Sequence, residues 1–158
     1  MDVTFRESDL SNHRDNEAIV SLLNEFMYGR KTEGENIIDT GLIEKLRRLG
    51  TAKVYLCEYL DSIIGIAVCF VGFSTFKQKE LLNIHDFYIK EEYQGRELGR
   101  RFLEYIENQC FKNGFCRITL EVYNDNVRAM KLYEKAGFVG NKNNEPDFPV
   151  YAMKKELD

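Results

Sequence analysis

The chain has no apolar stretch close to the roughly 18 residues that a membrane-spanning helix needs. Its opening residues, MDVTFRESD, also lack the hydrophobic core of a secretory leader. A membrane location is therefore not expected, and the chain reads as cytoplasmic. Basic residues are not in excess: the formal net charge is -4 and the Lys and Arg are scattered, so the basic stripe typical of a nucleic-acid binder is missing. Cys57, Cys69, Cys110 and Cys116 form no CxxC pair and have no nearby His to complete a zinc site. They read as packed thiols, and no metal is expected. No internal repeat, low-complexity tract or linker interrupts the chain. With 158 residues, 44% of them hydrophobic, the chain fits one globular domain over 1–158.

Strand and helix periods then alternate. Val3 to Arg6 can form a short strand. Asp15 or Asn16 can cap a helix that places Ile19, Leu22, Leu23, Phe26 and Met27 on one face. Tyr28 to Asn36 is polar and reads as a loop. Thr40 or Asp39 can begin a second helix with Leu42, Ile43, Leu46 and Leu49 on its apolar side, stopped by Gly50. Lys53–Tyr59 and Ile63–Phe73 are strand-like and joined by Leu60, Asp61 and Ser62, which predicts an antiparallel hairpin. The second of these runs is apolar almost throughout, as in a central strand covered on both faces.

After a linker, Ser74 to Glu80, comes the stretch Leu82 to Arg101. It reads as a buried strand ending near Ile89, a charged glycine-containing turn, and a helix start. Phe102, Leu103, Ile106 and Cys110 continue that helix to Asn113-Gly114, and Arg117 to Val122 alternates like a strand. Asn124 or Asp125 can cap a helix through Lys135, with Gly137 as its stop. Phe138-Val139 and Val150–Met153 read as final strands around the polar segment before Pro149. The predicted class is α/β, a mixed and mostly antiparallel sheet of about seven strands flanked by about four helices.

A turn that opens a helix presents unpaired backbone N–H groups to an anion. The turn here lacks the GK[ST] ending of a nucleotide loop, and with only Gly95 and Gly99 it lacks GxGxxG, so neither ATP/GTP nor dinucleotide binding is indicated. Gln94-Gly95-Arg96-Glu97-Leu98-Gly99-Arg100 is followed by Asn126-Val-Arg-Ala129-Met-Lys-Leu-Tyr133-Glu-Lys-Ala-Gly137-Phe138. These blocks resemble the Q/R-x-x-G-x-G/A diphosphate loop and the N-x-x-A-x-x-x-Y-x-x-x-G-F segment of the GNAT superfamily of acetyl-CoA-dependent N-acetyltransferases. The element order matches that family over nearly the whole chain. Phe73 to Ile89 is similar to the corresponding region of its diamine and thialysine acetyltransferases.

The resemblance implies a GNAT-like fold, acetyl-CoA as co-substrate, a homodimer, and a small polyamine or amino-acid-like amine as acceptor. It implies that backbone groups around Phe87, Tyr88 and Ile89 pair with the pantetheine arm. It also implies that Gln94, Gly95, Arg96, Glu97, Leu98, Gly99 and Arg100 hold the diphosphate, with Arg96, Arg100 or Arg101 adding charge, and that Asn126, Ala129 and Tyr133 meet the cofactor from the following helix.

An amine of pKa about 10.4 is neutral in roughly one molecule per thousand near pH 7, so transfer is helped by a base. His85 or Asp86 can serve, directly or through water. As neighbours in a strand they face opposite sides. The diamine enzymes match this chain at Asp86 but carry Glu where His85 stands, which leaves both open. Tyr133 can protonate the leaving thiolate, and Asp86 or Glu121 can attract a cationic amine. Glu97 stands where the family pattern has its first Gly, and its side chain and charge predict weaker acetyl-CoA binding. A catalytically weak acyl-CoA-binding sensor, or a protein or peptide N-acetyltransferase, is the alternative.

Overall fold

The computed structural model describes residues 1–28, 38–140 and 150–158. The predicted loop from Tyr28 to Asn36 thus lies, beyond Tyr28, outside the described residues, as does the polar segment Asn141 to Pro149. The elements are β1 (Thr4–Ser8), α1 (His13–Tyr28), α2 (Gly41–Leu49), β2 (Ala52–Tyr59), β3 (Ser62–Ser74), β4 (Lys79–Ile89), α3 (Leu98–Lys112), β5 (Arg117–Tyr123), α4 (Val127–Lys135), β6 (Val139–Gly140) and β7 (Val150–Glu156). A single turn of 3-10 helix, Glu91–Tyr93, follows β4. The strands form a 7-stranded sheet in the order β1-β2-β3-β4-β5-β7-β6, which matches the expected class and element order. The chain divides into two compact units, Met1–Cys69 with Asp86–Gln94, and Phe70–His85 with Gly95–Asp158.

In the first unit, β1 pairs antiparallel with β2 from Thr4↔Glu58 to Ser8↔Val54. Helix α1 buries Ile19, Leu22 and Leu23, each contributing about 1.5–3 kcal/mol of apolar burial. Its cap is Asn12, whose Oδ1 accepts the Asp15 N–H at 3.1 Å, and not Asp15 or Asn16. Asp15 is instead committed to Arg6, which donates to both of its oxygens at 2.7 and 2.8 Å. Arg6 also donates to Glu58 at 3.2 Å, and Arg14 donates to Glu58 at 2.8 Å. This network ties β1, α1 and β2 together.

Helix α2 buries Ile43 and Leu46 but leaves Leu49 56% exposed in its last turn, before Gly50 at φ 73. Asp39 accepts the Gly41 N–H at 2.8 Å, while the Thr40 side chain makes no cap bond. Leu60 and Asp61, at φ 45 and 61, make the two-residue turn between β2 and β3. Both central residues at positive φ are what a tight hairpin turn requires.

Strand β3 is buried at every position from Ile63 to Cys69, but beyond that it is not covered on both faces: Phe70, Val71 and Gly72 are half-buried and Phe73 is 61% exposed. In the second unit, β4 begins at Lys79, earlier than the polar Ser74–Glu80 segment suggests, because its backbone is already laddered: the Cys116 N–H donates to the Glu80 carbonyl at 2.8 Å. Strand β4 pairs parallel with β5 through Leu82↔Ile118, Asn83↔Thr119 and Ile84↔Leu120. Leu82, Ile84, Ile118 and Leu120 are buried on one face, as are Leu98, Phe102, Leu103, Ile106 and Cys110 of α3. Strand β7 pairs antiparallel with β5 and β6. All four cysteines are buried.

Among the described residues no helix is long and apolar enough to cross a membrane. Among the same residues, no group of three or more His, Cys, Asp or Glu is placed to hold a metal ion.

Candidate functional site

In the first unit, the end of β4 is shaped by Gly65. A Cβ at that position would stand 3.1 Å from Cys57 Cβ, 3.2 Å from Ile89 Cγ1 and 3.3 Å from the Tyr88 carbonyl oxygen. Any side chain there would have to push these neighbours back by a few tenths of an ångström. Tyr88 stacks on Phe26 with ring centroids 5.4 Å apart. Its phenol is pushed above the ordinary tyrosine range, chiefly by burial and then by the charge of Glu25. The Lys90 N–H donates to the Ile64 carbonyl at 2.9 Å, which closes the strand. Gln94 folds back and its Nε2 donates to the Ile89 carbonyl at 2.6 Å. One lone pair of the oxygen expected to meet the pantetheine arm is thereby used, and the Gln94 amide itself acts as a brace for the turn.

In the second unit the turn continues through two residues with positive φ, Gly95 at 77 and Glu97 at 63. Left-handed backbone is routine for glycine and costs another L-residue roughly 1–2 kcal/mol, which is a physical reason for glycine in the family pattern at the position of Glu97. Glu97 occupies the N-cap of α3, yet its side chain caps no N–H. Its carboxylate instead accepts from Arg100 Nε at 2.8 Å, and Arg100 also reaches Glu104 at 3.4 Å. The first intrahelical bond runs from the Arg101 N–H to the Glu97 carbonyl, so Leu98, Gly99 and Arg100 present the unsatisfied donors of a helix start. Gly99 serves packing: a Cβ there would meet Leu132 Cδ2 at 3.0 Å.

Helix α4 is capped by Asn126, not by Asn124 or Asp125, with Oδ1 accepting the Ala129 N–H at 3.2 Å. This commits the Ala129 N–H and the Asn126 oxygen, and leaves the Asn126 amide nitrogen as the polar group to offer a ligand. Tyr133 is buried, 7% exposed, with its ring 5.9 Å from Phe138 in an edge geometry.

His85 is exposed and packs edge-on against Phe70 at 5.6 Å. Strand alternation puts it on the side of Asn83, whose amide donates to Thr119 Oγ1 at 3.0 Å across the parallel pair. Glu121, exposed and opposite Ala152, lies on that same side two residues beyond Thr119. His85 and Glu121 therefore share the exposed side of the strand pair, whereas Asp86 is half-buried and belongs to the other unit.

Two contributors escaped the sequence reading. Gly65 carries no local motif. Arg128 falls between Asn126 and Ala129 in the second block, yet its guanidinium lies over the turn: a Cβ on Gly95 would stand 3.3 Å from Arg128 Nη2. The only sequence signal for it is an Arg in the first turn of a helix, where a cation is disfavoured.

Uncapped N–H groups, a glycine at positive φ and a nearby guanidinium fit a diphosphate. The model of the Acetyltransferase (GNAT) family matches residues 16–138, and the chain belongs to that family.

Among curated relatives, it is 28% identical over 75 residues to thialysine N-epsilon-acetyltransferase of Bos taurus, covering 48% of this chain and 44% of that protein. It is 36% identical over 103 residues to spermine/spermidine N(1)-acetyltransferase of Bacillus subtilis (strain 168), covering 63% of this chain and 66% of that protein. The matches thus span less than two thirds of either relative. A chain in the crystal structure of the NatC complex bound to Gag peptide and CoA has a TM-score of 0.76, at 16% identity over 100% of both chains, which is a likeness of fold.

Proposed function

We propose that the protein transfers the acetyl group of acetyl-CoA to a primary amine of a small molecule, a polyamine or an amino-acid-like amine, by direct attack. The observation that carries this reading is the start of α3, where an uncapped helix N-terminus follows Gly95 at positive φ. Family membership and the names of the curated relatives support it.

In this reading, the backbone of Phe87, Tyr88 and Ile89 lies along the pantetheine arm. The N–H groups from Gly95 to Arg100 hold the diphosphate, and Asn126, Ala129 and Tyr133 meet the cofactor from α4. The amine nitrogen attacks the acetyl carbon as the carbon–sulfur bond breaks, and the Tyr133 phenol gives its proton to the departing sulfur. His85 takes the amine proton, directly or through water. It is favoured over Asp86 because it shares the exposed side of the strands with Glu121, whose carboxylate attracts a cationic acceptor. A single catalytic domain over 1–158, a cytoplasmic location and a homodimer belong to the same proposal, the last resting on the resemblance.

Thiol release from acetyl-CoA, measured across spermidine, lysine analogues, aminoglycosides and a peptide amine, tests the reading. Turnover with a small amine is expected. Turnover with the peptide amine alone would replace the acceptor class. A second reading, an acyl-CoA sensor of low activity, is favoured by the Glu97–Arg100 pair at the turn. Acetyl-CoA binding with no turnover on any amine would select it.

A further inference from the structure

We infer that Arg128 is the principal cation for the diphosphate in this site, a role that rests on the acetyl-CoA reading above. The cations of the turn are not equivalent. Arg100 follows the glycine motif directly, but its guanidinium is already held by Glu97 at 2.8 Å and by Glu104 at 3.4 Å. Binding an anion through Arg100 therefore means competing with two carboxylates that are part of the chain.

Arg128 differs in three respects. Its Nη2 stands 3.3 Å from where a Gly95 Cβ would be, so the guanidinium lies directly against the turn. No ion pair or hydrogen bond of its side chain is present among the described residues. It occupies the first turn of α4, which contains no acidic residue to offset it. A helix N-terminus already carries about half a positive charge, so a guanidinium placed there is electrostatically unfavourable unless an anion joins it. Gly95 completes the arrangement, because a side chain at that position would crowd the guanidinium away from the backbone donors. The turn thus brings a fork of N–H donors from a second helix over the amides that open α3, and the ligand that satisfies both is a diphosphate.

The test is calorimetric titration of wild type, Arg128→Ala, Arg128→Lys and Arg100→Ala with acetyl-CoA and with dephospho-CoA, which lacks the 3′-phosphate. Circular dichroism establishes that each variant is folded, as expected for an exposed side chain. Arg128→Ala is expected to weaken both ligands by roughly 10- to 100-fold, the effect of losing a charge-assisted hydrogen bond. Arg128→Lys should recover part of the loss, and Arg100→Ala should lose less than Arg128→Ala with either ligand. Equal binding by wild type and Arg128→Ala overturns this inference and leaves the acetyl-CoA reading standing. A loss confined to the ligand with the 3′-phosphate also overturns it, by moving Arg128 to that group. Wild-type protein that binds neither ligand overturns both.

Discussion

Replacing Glu97 by Gly separates two effects that coincide at one residue. On the stability side, the substitution relieves a positive φ that costs roughly 1–2 kcal/mol. Against this, glycine's extra freedom in the unfolded chain costs about 0.5–1 kcal/mol. The lost dipole interaction removes about 0.3–1 kcal/mol, and the exposed Glu97–Arg100 pair about 0.5 kcal/mol at most. The terms nearly cancel, leaving a net of between about −1.5 and +1.2 kcal/mol centred near zero, so the melting temperature should move by a few degrees at most. Affinity responds differently. An exposed carboxylate beside a bound diphosphate repels each negative charge by on the order of 1 kcal/mol. Removing it should tighten acetyl-CoA binding about 5- to 30-fold. Glu97→Gln, which removes the charge but keeps a side chain at positive φ, should fall between. At 1 M salt, where the screening length is about 3 Å, the difference should shrink. Calorimetric titration at low and high salt reads all of this. Binding by wild type that is equal to or tighter than that of Glu97→Gly refutes the reasoning.

Tyr133→Phe should lower turnover by about 10²- to 10⁴-fold with little change in acetyl-CoA affinity, and unchanged turnover in a steady-state assay removes Tyr133 from the mechanism. The hydrogen bond from Arg6 holds the Asp15 carboxyl below its ordinary range, and the one from Arg14 does the same for Glu58. Their stabilisation is therefore complete above the unfolded carboxylate values near 4 and is lost as pH falls through the lower folded values. Asp15→Asn, at a side chain only 4% exposed, should cost about 2–3 kcal/mol at pH 7 and flatten the acid limb of stability in urea titrations from pH 7 to 3; an unchanged limb assigns it elsewhere. Gly65→Ala should cost about 1–3 kcal/mol by urea unfolding, because the new methyl meets Cys57, Ile89 and the Tyr88 backbone; no loss would mean the end of β4 yields readily.

Element order was legible because it depends on period: the helical faces of α1 and α3 and the alternation in β5 survive any choice of end. The ends were less legible. Asn12, Asp15 and Asn16 all have capping chemistry, and the choice falls to Asn12 because Asp15 is taken by Arg6, a partner on another strand. Asn124, Asp125 and Asn126 pose the same ambiguity, settled by which oxygen reaches an N–H three residues on. The start of β4 at Lys79 was hidden because exposed polar residues show no alternation, while the bond that defines the strand there belongs to the backbone. Leu49 fits the apolar stripe of α2 by spacing, but the helix ends before anything covers it.

At the turn that opens α3, adjacency in sequence and contacts in the fold single out different side chains. Backbone-dependent features, a glycine at positive φ and an uncapped helix start, follow from a few adjacent residues and could be read from them. The charge at the site does not follow in that way, since it depends on which cations already have anions. By adjacency Arg100 is the natural ligand, yet Glu97 and Glu104 hold it; Arg128, some thirty residues on, reaches the turn with its side chain uncommitted among the described residues. Gln94 follows the same logic: the motif nominates it for the ligand, and the fold spends its amide on the Ile89 carbonyl. Glu97 is then the residue through which the two descriptions meet, because its backbone adopts the conformation the motif reserves for glycine while its carboxylate holds Arg100.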